Sequence, residues 1–336
     1  MNKIWFGVLI LLYCVKVQAQ QLPQYTQYVL NPLIVNPAVS GIENYTDIKA
    51  GYRSQWNGLD GAPVTSYFSV TAPLGRNYVD GDVLQVPADD DNPTGPSYVR
   101  SYRAAEAHHG IGLTLITDKA GPIRQTFVNV TYAYHIGLTP NLNLSVGVSG
   151  GFSSYHLDTR LVTLENPFDN AFLGKDVSQL KPDVGAGLWA YSSNYFVGAS
   201  VQQLLPQTLN FSGDSNYSSQ GKAVPHYYFT GGFKFFISDD VSLMPSVMFK
   251  VVNPAQNTFD MNMKIGFRDH FWIGASYRQT DAIAAMVGFT LNSFLSLGYA
   301  YDYTTSALNT VSNGTHEIVI GIYLGNKGNV GPRRGF

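Results

Sequence analysis

The chain has 336 residues, of which 13% are charged and 13% aromatic, and its formal net charge at pH 7 is -2. Ordinary soluble domains carry about 25% charged residues, so much of this surface is expected to face something other than water. The balance of charge and the lack of a basic cluster argue against a nucleic-acid partner.

Residues 1–19 have the pattern of a bacterial export signal. Lys3 precedes an apolar run over residues 4–15, and residues 17–19 read Val-Gln-Ala, which suits a signal peptidase. The run is too short for a membrane-spanning helix, which needs roughly 20 residues, and no later segment comes close to that length. The single cysteine, Cys14, lies inside the signal, so we expect a mature chain without thiols or disulfides.

Residues 20–45 have the pattern of neither a strand nor a helix. Pro23, Pro32 and Pro37 are interspersed with aromatic and aliphatic residues. Because proline fixes φ and removes a backbone donor, we expect an ordered, non-regular segment. It is predicted either to plug the lumen of the structure that follows or to pack on its periplasmic rim.

From residue 46 to residue 325 apolar and polar residues alternate with a period of two. Around residue 263 the apolar positions are Phe259, Met261, Met263, Ile265 and Phe267, and the positions between them are Asp260, Asn262, Lys264, Gly266 and Arg268. Successive side chains of a strand point to opposite faces, so the pattern is typical of a wall between lipid and a polar lumen. The predicted fold class is therefore all-β, a transmembrane antiparallel β-barrel.

Segments of this kind number about 14, an even number that places both ends of the barrel in the periplasm. They are predicted near residues 46–54, 64–74, 109–118, 124–137, 141–154, 183–192, 195–204, 226–238, 240–251, 258–268, 271–278, 281–290, 293–302 and 315–324. Short periplasmic turns are expected at 139–141, 192–194, 238–240, 268–270 and 291–293, and longer outer loops at 155–182, 205–225 and 303–314.

Three segments depart from this regular pattern. Residues 75–108 form a long insertion on the periplasmic side, and its acidic triplet at 89–91 lacks the remaining spacing of a calcium-binding loop, so we interpret it as part of a solvated, mobile loop. Pro245 lies within a predicted strand, where we expect a β-bulge because proline cannot donate to a ladder. Residues 326–336 are predicted to be a C-terminal periplasmic tail.

The sequence lacks the usual patterns of catalytic and metal sites. Hydrolase, dehydrogenase and kinase signatures need a glycine-rich turn or a nucleophile elbow between a strand and a helix. Gly147, Gly150 and Gly151 instead end an alternating strand, where glycine is expected to keep the lumen face small. The seven histidines lack zinc-ligand spacing. We expect no enzyme activity, no catalytic residue, no cofactor and no metal.

Charged residues that the alternation assigns to the lumen fall at strand ends on the outer side. They are Arg53, Lys250, Asp260, Arg278, Asp281, Asp302 and Glu317. An unpaired charge in a narrow lumen is costly, so we expect a cross-strand network near the outer mouth. This network is interpreted either as a structural element that fixes the wall or as a site that recognises a secreted partner.

Several separated motifs resemble the PorP/SprF family of Bacteroidetes membrane proteins. They are residues 23–28 (PQYTQY), 36–38 (NPA), 52–56 (YRSQW), 118–122 (DKAGP), 245–250 (PSVMFK), 276–278 (SYR), 298–303 (GYAYDY) and 314–317 (GTHE). The resemblance covers nearly the whole mature chain and departs at residues 75–108, a connection that family members usually keep shorter.

The resemblance implies an outer-membrane component of type IX secretion that supports export or surface attachment of particular proteins, including gliding adhesins. Its implied partners are a secreted protein with a C-terminal sorting domain and periplasmic secretion-system subunits, besides outer-membrane lipid. Arg53, Lys250, Arg278, Asp302 and Glu317 lie within the family motifs, which adds some support to the partner-site interpretation beside the structural one. Two other classes remain open: a passive porin or transporter of small hydrophobic molecules, and a structural anchor for periplasmic machinery.

Overall fold

The computed structural model describes residues 22–75, 95–162, 177–209, 221–255, 257–268, 270–291 and 294–325. The predicted export signal at 1–19, the acidic triplet at 89–91 and the tail at 326–336 lie outside these ranges. Over the ranges described, no helix has both the length and the apolar character needed to cross a membrane.

The described strands form a closed antiparallel barrel. In chain order they are β1 (Thr46–Ser54), β2 (Val64–Leu74), β3 (His108–Ala120), β4 (Ile123–Thr139), β5 (Leu142–Leu157), β6 (Val177–Tyr191), β7 (Tyr195–Gln202), β8 (Gln207–Leu209), β9 (Gly221–Ala223), β10 (His226–Phe233), β11 (Phe235–Phe236), β12 (Val241–Val252), β13 (Thr258–Phe267), β14 (Phe271–Arg278), β15 (Ala282–Thr290), β16 (Leu295–Thr304) and β17 (Thr315–Leu324). Strands β8 and β9 form a separate hairpin, and β10 and β11 are two parts of one wall strand, so the wall has 14 strands. Pairings of β1 with β17 and of β10 with β12 close the ring.

The apolar and polar residues that alternate in the sequence lie on the outer face and the lumen face of the wall, respectively. On β5, Val146 and Val148 are exposed on the outer surface, whereas Ser145 and Gly147 are buried toward the lumen. Large apolar side chains cover the outside of the other strands in the same way, as at Phe249 on β12. This arrangement confirms the predicted all-β barrel.

The two ends of the barrel differ in their connections. The end that holds the short β4–β5, β6–β7 and β13–β14 connections is called the turn end, and it also holds the insertion between β2 and β3. The opposite end, which holds the long β5–β6, β7–β10 and β16–β17 connections, is called the loop end. Short turns face the periplasm and longer loops face outward in barrels of this class.

Two predicted outer loops, 155–182 and 303–314, are shorter in the structure. Strand β5 continues to Leu157, β6 begins at Val177 and β16 continues to Thr304, while the predicted loop 205–225 contains the β8–β9 hairpin. Ladder hydrogen bonds between neighbouring strands do not require apolar side chains, so pairing continues after the apolar alternation has ended.

The prediction of a β-bulge at Pro245 is wrong. Pro245 pairs with Met263 in an unbroken register with β13. On its other side β12 pairs with β10 as far as Ser246 and with β11 from Leu243, and the register is the same in both parts. The missing N–H of Pro245 therefore falls in a gap of the ladder between β10 and β11, and no extra residue is inserted.

The last part of the insertion packs on the turn end. After a short helix, α1 (Pro96–Ser101), the Ala104 N–H donates to the Pro140 carbonyl (2.7 Å) and the Ala105 N–H donates to Asn143 Oδ1 (2.9 Å). The Asn143 Nδ2 group donates to the Tyr102 hydroxyl (2.5 Å). Residues 102–105 are thereby fixed against the β4–β5 turn.

Candidate functional site

Residues 22–45 lie inside the barrel lumen, and we call this segment the plug. Its buried polar and small members include Thr26, Gln27, Asn31, Asn36, Ala38 and Ser40. At the loop end the Leu22 N–H donates to His226 Nε2 (3.1 Å), and at the turn end the Ser40 carbonyl lies 2.8 Å from His135 Nε2. The plug thus extends through the lumen from one end to the other.

Two of the three prolines of the plug begin its short helical turns. Pro32 and Pro37 each start a 3-10 helix, Pro32–Ile34 and Pro37–Val39, because their fixed φ suits the first helical position. The Asn36 side chain accepts from the Ala38 N–H (3.0 Å) and donates to the Leu188 carbonyl of β6 (3.0 Å). One asparagine therefore both caps a turn of the plug and ties that turn to the wall.

Arg53 on β1 is the centre of the charge network at the loop end. Its Nη2 lies 2.8 Å from Asp302 Oδ2 and its Nη1 lies 2.9 Å from Glu317 Oε2. The three side chains are almost completely buried, with exposed fractions of 1%, 1% and 0% for Arg53, Asp302 and Glu317. Because Arg53 and Glu317 are register partners in the β1–β17 ladder, barrel closure itself brings them together.

Arg278 on β14 joins the same network from the neighbouring part of the wall. Its guanidinium nitrogens form ion pairs with carboxylate oxygens of Asp260 (3.4 Å), Asp281 (3.0 Å) and Asp302 (3.5 Å). Asp281 belongs to the β14–β15 connection and is partly exposed, whereas Asp260 and Asp302 are buried. Six of the seven charged residues predicted for the network therefore contact one another directly.

Lys250, the seventh predicted residue, contacts the plug. Its Nζ donates to the Leu22 carbonyl (3.2 Å), and the residue is buried near the loop end of β12. Its ammonium group thus holds the first described residue of the plug against the wall.

Thr26 of the plug lies at the junction of the two arginines. Its hydroxyl donates to Asp302 Oδ2 (2.7 Å) and accepts from Arg53 Nη1 (2.7 Å) and Arg278 Nη2 (3.2 Å). Its backbone N–H donates to Glu317 Oε2 (2.9 Å). These bonds join the charge network to the plug.

Gln27 forms a second contact between the plug and β17. Its side-chain Nε2 donates to the Glu317 backbone carbonyl (3.1 Å), and Tyr67 of β2 donates its hydroxyl to Glu317 Oε1 (3.1 Å). We call the group formed by Thr26, Gln27, Arg53, Arg278, Asp302 and Glu317 the latch. Each charged side chain of the latch has an oppositely charged partner, which satisfies the main condition for burying it. Arg53 Nε, Arg278 Nε and Asp302 Oδ1 are buried without a hydrogen-bond partner of their own.

The wall residues of the latch are buried, and Thr26 and Gln27 of the plug bond directly to them. A separate protein can reach Arg53, Asp302 or Glu317 only if the plug moves, since all three side chains are buried. Sequence reasoning identified the charged members but missed Thr26, Gln27 and Tyr67. Their only sequence signal is that Thr26 and Gln27 belong to the 23–28 motif.

A second set of contacts holds the plug at the turn end. The Ser145 hydroxyl donates to the Ala38 carbonyl (2.7 Å), and the Ser40 hydroxyl donates to Thr131 Oγ1 (2.6 Å). The rings of His108 and His135 stack with centroids 4.5 Å apart, beside the plug carbonyls of Gly41 and Ser40. Polar side chains of β3, β4 and β5 therefore bind the plug backbone.

Lumen-facing glycines leave room for the plug. A Cβ atom added to Gly147 would overlap the backbone of Ala38, and one added to Gly187 would overlap the Asn36 side chain. The prediction that Gly147 keeps the lumen face small is consistent with this contact. The same prediction is wrong for Gly150, which is exposed on the outer face with Val146 and Val148 and has open space around its Cβ position.

We expect Gly147→Leu to weaken seating of the plug, because the new side chain occupies the space of Ala38. Overpacking of this kind costs roughly 1–3 kcal/mol, which corresponds to a change of about 5- to 150-fold in the fraction of unseated plug. Limited proteolysis of the plug in detergent micelles measures this fraction. Gly150→Leu is the matched control and should leave the cleavage rate unchanged; equal cleavage of both variants would contradict the packing argument.

Two small cavities flank the plug. One of about 30 Å³ lies beside Leu33, Asn129 and Asp183, and another of about 20 Å³ lies beside Leu30 and Trp272. Each holds no more than a few water molecules. The Asp183 carboxylate accepts from Asn129 Nδ2 (3.1 Å) and from the Ser153 hydroxyl (3.1 Å). In the described part of the chain, no group of His, Cys, Asp and Glu side chains is arranged to hold a metal ion.

Comparison with known proteins gives one family match and several similar barrels. The profile of the family described as type IX secretion system membrane protein PorP/SprF matches residues 17–322. No curated protein matches the chain. The toluene transporter TbuX of Ralstonia pickettii is 13% identical, with 87% of this chain and 92% of that chain covered and a TM-score of 0.46. The outer membrane protein Omp33 of Acinetobacter baumannii is 9% identical, with 85% of this chain and 99% of that chain covered and a TM-score of 0.44. A FadL homologue of Pseudomonas aeruginosa is 10% identical, with 90% of this chain and 94% of that chain covered and a TM-score of 0.45.

Proposed function

The chain belongs to the PorP/SprF family of type IX secretion system membrane proteins, and from this premise we propose that it supports export or surface attachment of specific secreted proteins. The chain is an outer-membrane β-barrel of that secretion system. In the proposed role it is a docking partner for secreted proteins, gliding adhesins among them. We further propose that the export signal is removed after Ala19 and that the protein is not an enzyme.

The latched plug is the observation that supports docking over transport. Residues 22–45 occupy the lumen and are bonded to the wall at both ends. The outer surface of the strands is covered by apolar side chains suited to lipid. A barrel of this kind meets other proteins chiefly through its loop end and its turn end.

The loop end has features of a protein-binding surface. Its connections are bonded to one another: the Asn57 N–H donates to the Gly314 carbonyl (2.8 Å), and the Gly121 N–H donates to the Gly61 carbonyl (2.8 Å). Large apolar side chains are nevertheless exposed on these connections, at Leu59, Leu161 and Val311. A preformed surface with exposed apolar residues favours contact with a partner protein.

The turn end supports a second candidate role, that of an anchor for periplasmic secretion-system subunits. Residues 102–105, in the described part of the insertion, are held against the β4–β5 turn, and Arg103 is exposed there. Both roles are compatible in one molecule, because they use opposite ends of the barrel.

A passive porin or a transporter of small hydrophobic molecules is the remaining alternative. It requires that the plug leave the lumen or that solutes pass beside it. A conductance step of the intact protein in planar bilayers would favour this alternative.

Affinity purification tests the proposed function. We expect the tagged protein, isolated in mild detergent from its own cells, to carry a large surface protein with a C-terminal sorting domain and periplasmic secretion-system subunits. Mass spectrometry identifies them. A variant without residues 76–94 should lose the periplasmic subunits and keep the surface protein, since the two bind at opposite ends. Recovery of lipopolysaccharide and other porins alone would contradict the docking proposal.

A further inference from the structure

Two basic side chains interrupt the apolar outer face of the wall near the loop end. Lys119 is the last but one residue of β3 and Arg124 is the second residue of β4, and both are exposed on the outer face. The other Lys, Arg, Asp and Glu residues of the described wall strands lie on the lumen face, as Arg53 and Lys250 do. Within those strands, only Lys119 and Arg124 therefore present a side chain of this kind to the membrane.

The two basic residues lie next to each other and have the same sign of charge. They are register partners in the β3–β4 ladder, so their Cβ atoms are about 4.5–5.5 Å apart. Like charges directly opposite each other destabilise a sheet. Neither residue takes part in any ion pair among the described residues. A bound anion would relieve the repulsion between them.

A histidine extends this pair by one strand. His156, the last but one residue of β5, lies on the outer face and is the register partner of Arg124 in the β4–β5 ladder. The acidic residue two positions further on, Asp158, already pairs with Arg160 (2.9 Å). We call Lys119, Arg124 and His156 the basic row.

The outer face changes from polar to apolar between the basic row and the middle of the wall. Two positions closer to the turn end on each strand, the residues carry hydroxyl groups: Thr117, Thr126 and Ser154. Two positions further, the residues are exposed and apolar: Leu115, Val128 and Phe152. Each of these steps covers about 7 Å along a strand. A lipid that has phosphate and hydroxyl groups on its head and acyl chains below it shows the same order of chemistry.

Another sector of the wall has a different surface near the loop end. The outer faces of β1 and β16 carry the exposed side chains of Tyr52, Tyr299 and Tyr303 there. Aromatic residues at the membrane–water interface are a general feature of membrane barrels. The basic row is a local feature of β3, β4 and β5, so a general requirement of the interface does not explain it.

We propose that the basic row binds the phosphate groups of a phosphorylated glycolipid in the outer leaflet, whose acyl chains lie on the apolar residues below. The loop end faces outward, so the row lies at the level of the outer-leaflet head groups. Lys and Arg donate charge-assisted hydrogen bonds to phosphate, and basic residues at a membrane surface attract anionic lipid. The lipid binds to the side of the barrel, so this site goes beyond the proposed docking of secreted proteins and does not depend on it.

Binding of lipopolysaccharide to the purified full-length protein tests the proposal. Native mass spectrometry in detergent, after removal of co-purified lipid, gives the affinity for lipopolysaccharide from the protein's own cells and for the same lipid without its phosphates. Lys119→Gln with Arg124→Gln, called the row variant, removes both charges and keeps the side chains polar. The matched control, Lys222→Gln with Arg100→Gln, removes the same charge from exposed positions on β9 and α1.

We expect the wild type and the control to bind the phosphorylated lipid equally, and the row variant to bind it about 10- to 100-fold more weakly. Removal of the phosphates should weaken binding to the wild type by a similar factor and change binding to the row variant little. Equal affinity of the wild type and the row variant for the phosphorylated lipid overturns the proposal. Displacement of the lipid by inorganic phosphate at constant ionic strength also overturns it, since the row would then bind a soluble phosphate.

Two further variants keep the test decisive if the row variant does not fold. Folding is checked by the compact, heat-modifiable band in detergent gels. Arg124→Gln alone should still weaken binding of the phosphorylated lipid. Lys119→Arg with Arg124→Lys keeps both charges and should bind the lipid as the wild type does; loss of binding in this variant would contradict recognition by charge.

Discussion

Arg53→Met is expected to destabilise the folded barrel by about 3–5 kcal/mol, because it leaves the buried Glu317 carboxylate without its counter-ion. Methionine preserves much of the apolar stem of arginine but donates no hydrogen bond. In this variant Asp302 retains its ion pair with Arg278 (3.5 Å), whereas Glu317 loses its ion pair with Arg53 (2.9 Å). Thr26 loses a donor at the same time, so the plug should loosen together with the wall. The temperature at which the compact, heat-modifiable band disappears in detergent gels measures the change.

The matched control for this variant is Arg160→Met. Arg160 pairs with Asp158 at 2.9 Å, but its side chain is 75% exposed. Exposed ion pairs contribute about 0–1 kcal/mol, so the control should unfold almost as the wild type does. Adding Glu317→Gln to Arg53→Met should recover part of the lost stability, because no unpaired charge then remains at that position. Equal unfolding temperatures for Arg53→Met and Arg160→Met would contradict the structural role of the latch.

Deleting residues 22–41 is expected to convert a closed barrel into a conducting one. The deletion removes both the latch contacts and the turn-end contacts of the plug, while β1 is left intact. The exposed lumen carries polar residues such as Ser69, Thr131 and Ser145, which water can solvate. Barrels of 16–18 strands leave an aqueous channel, and a wall of 14 strands is only slightly narrower. Single-channel recording in planar bilayers should show steady open steps for the variant and a silent wild type.

A variant in which a disulfide links the plug to the wall, called the stapled protein, provides the control for this experiment. The hydroxyl oxygens of Ser40 and Thr131 are 2.6 Å apart, so Ser40→Cys with Thr131→Cys brings two sulfur atoms within reach of a disulfide. The stapled protein should be as silent as the wild type. Steps of equal size from the wild type and the deletion variant would show that solutes pass beside the plug, which would favour the porin alternative. A folded but silent deletion variant would mean that something other than the plug closes the lumen.

The wall of the barrel could be predicted because its signal is local. The predicted strands 46–54, 64–74, 271–278 and 315–324 have the observed bounds, since each shows its alternation within its own residues. The same alternation of apolar and polar residues correctly predicted that Arg53 and Glu317 face the lumen near the loop end. Pro245 was misjudged because its effect depends on the neighbouring strands, which happen to leave a ladder gap there.

The centre of the latch could not be predicted in this way. Thr26 meets Asp302 and Arg278 across separations of 276 and 252 residues, and nothing in the residues around it distinguishes it from other threonines. Its importance arises from the position that the plug takes inside a closed ring. Gly147 and Gly187 likewise match the plug in shape only after both have been placed.

The sequence alone determined that the chain forms a membrane barrel, which residues face the lumen and at which end the lumen charges gather. These properties follow from side-chain periodicity along single strands, which each segment carries by itself. Only the tertiary structure decided that residues 22–45 fill the lumen, that the charges hold them there and that Leu22 lies at the loop end. Those properties depend on contacts between residues far apart in the chain, and such contacts exist only after strand register and barrel closure have brought the partners together.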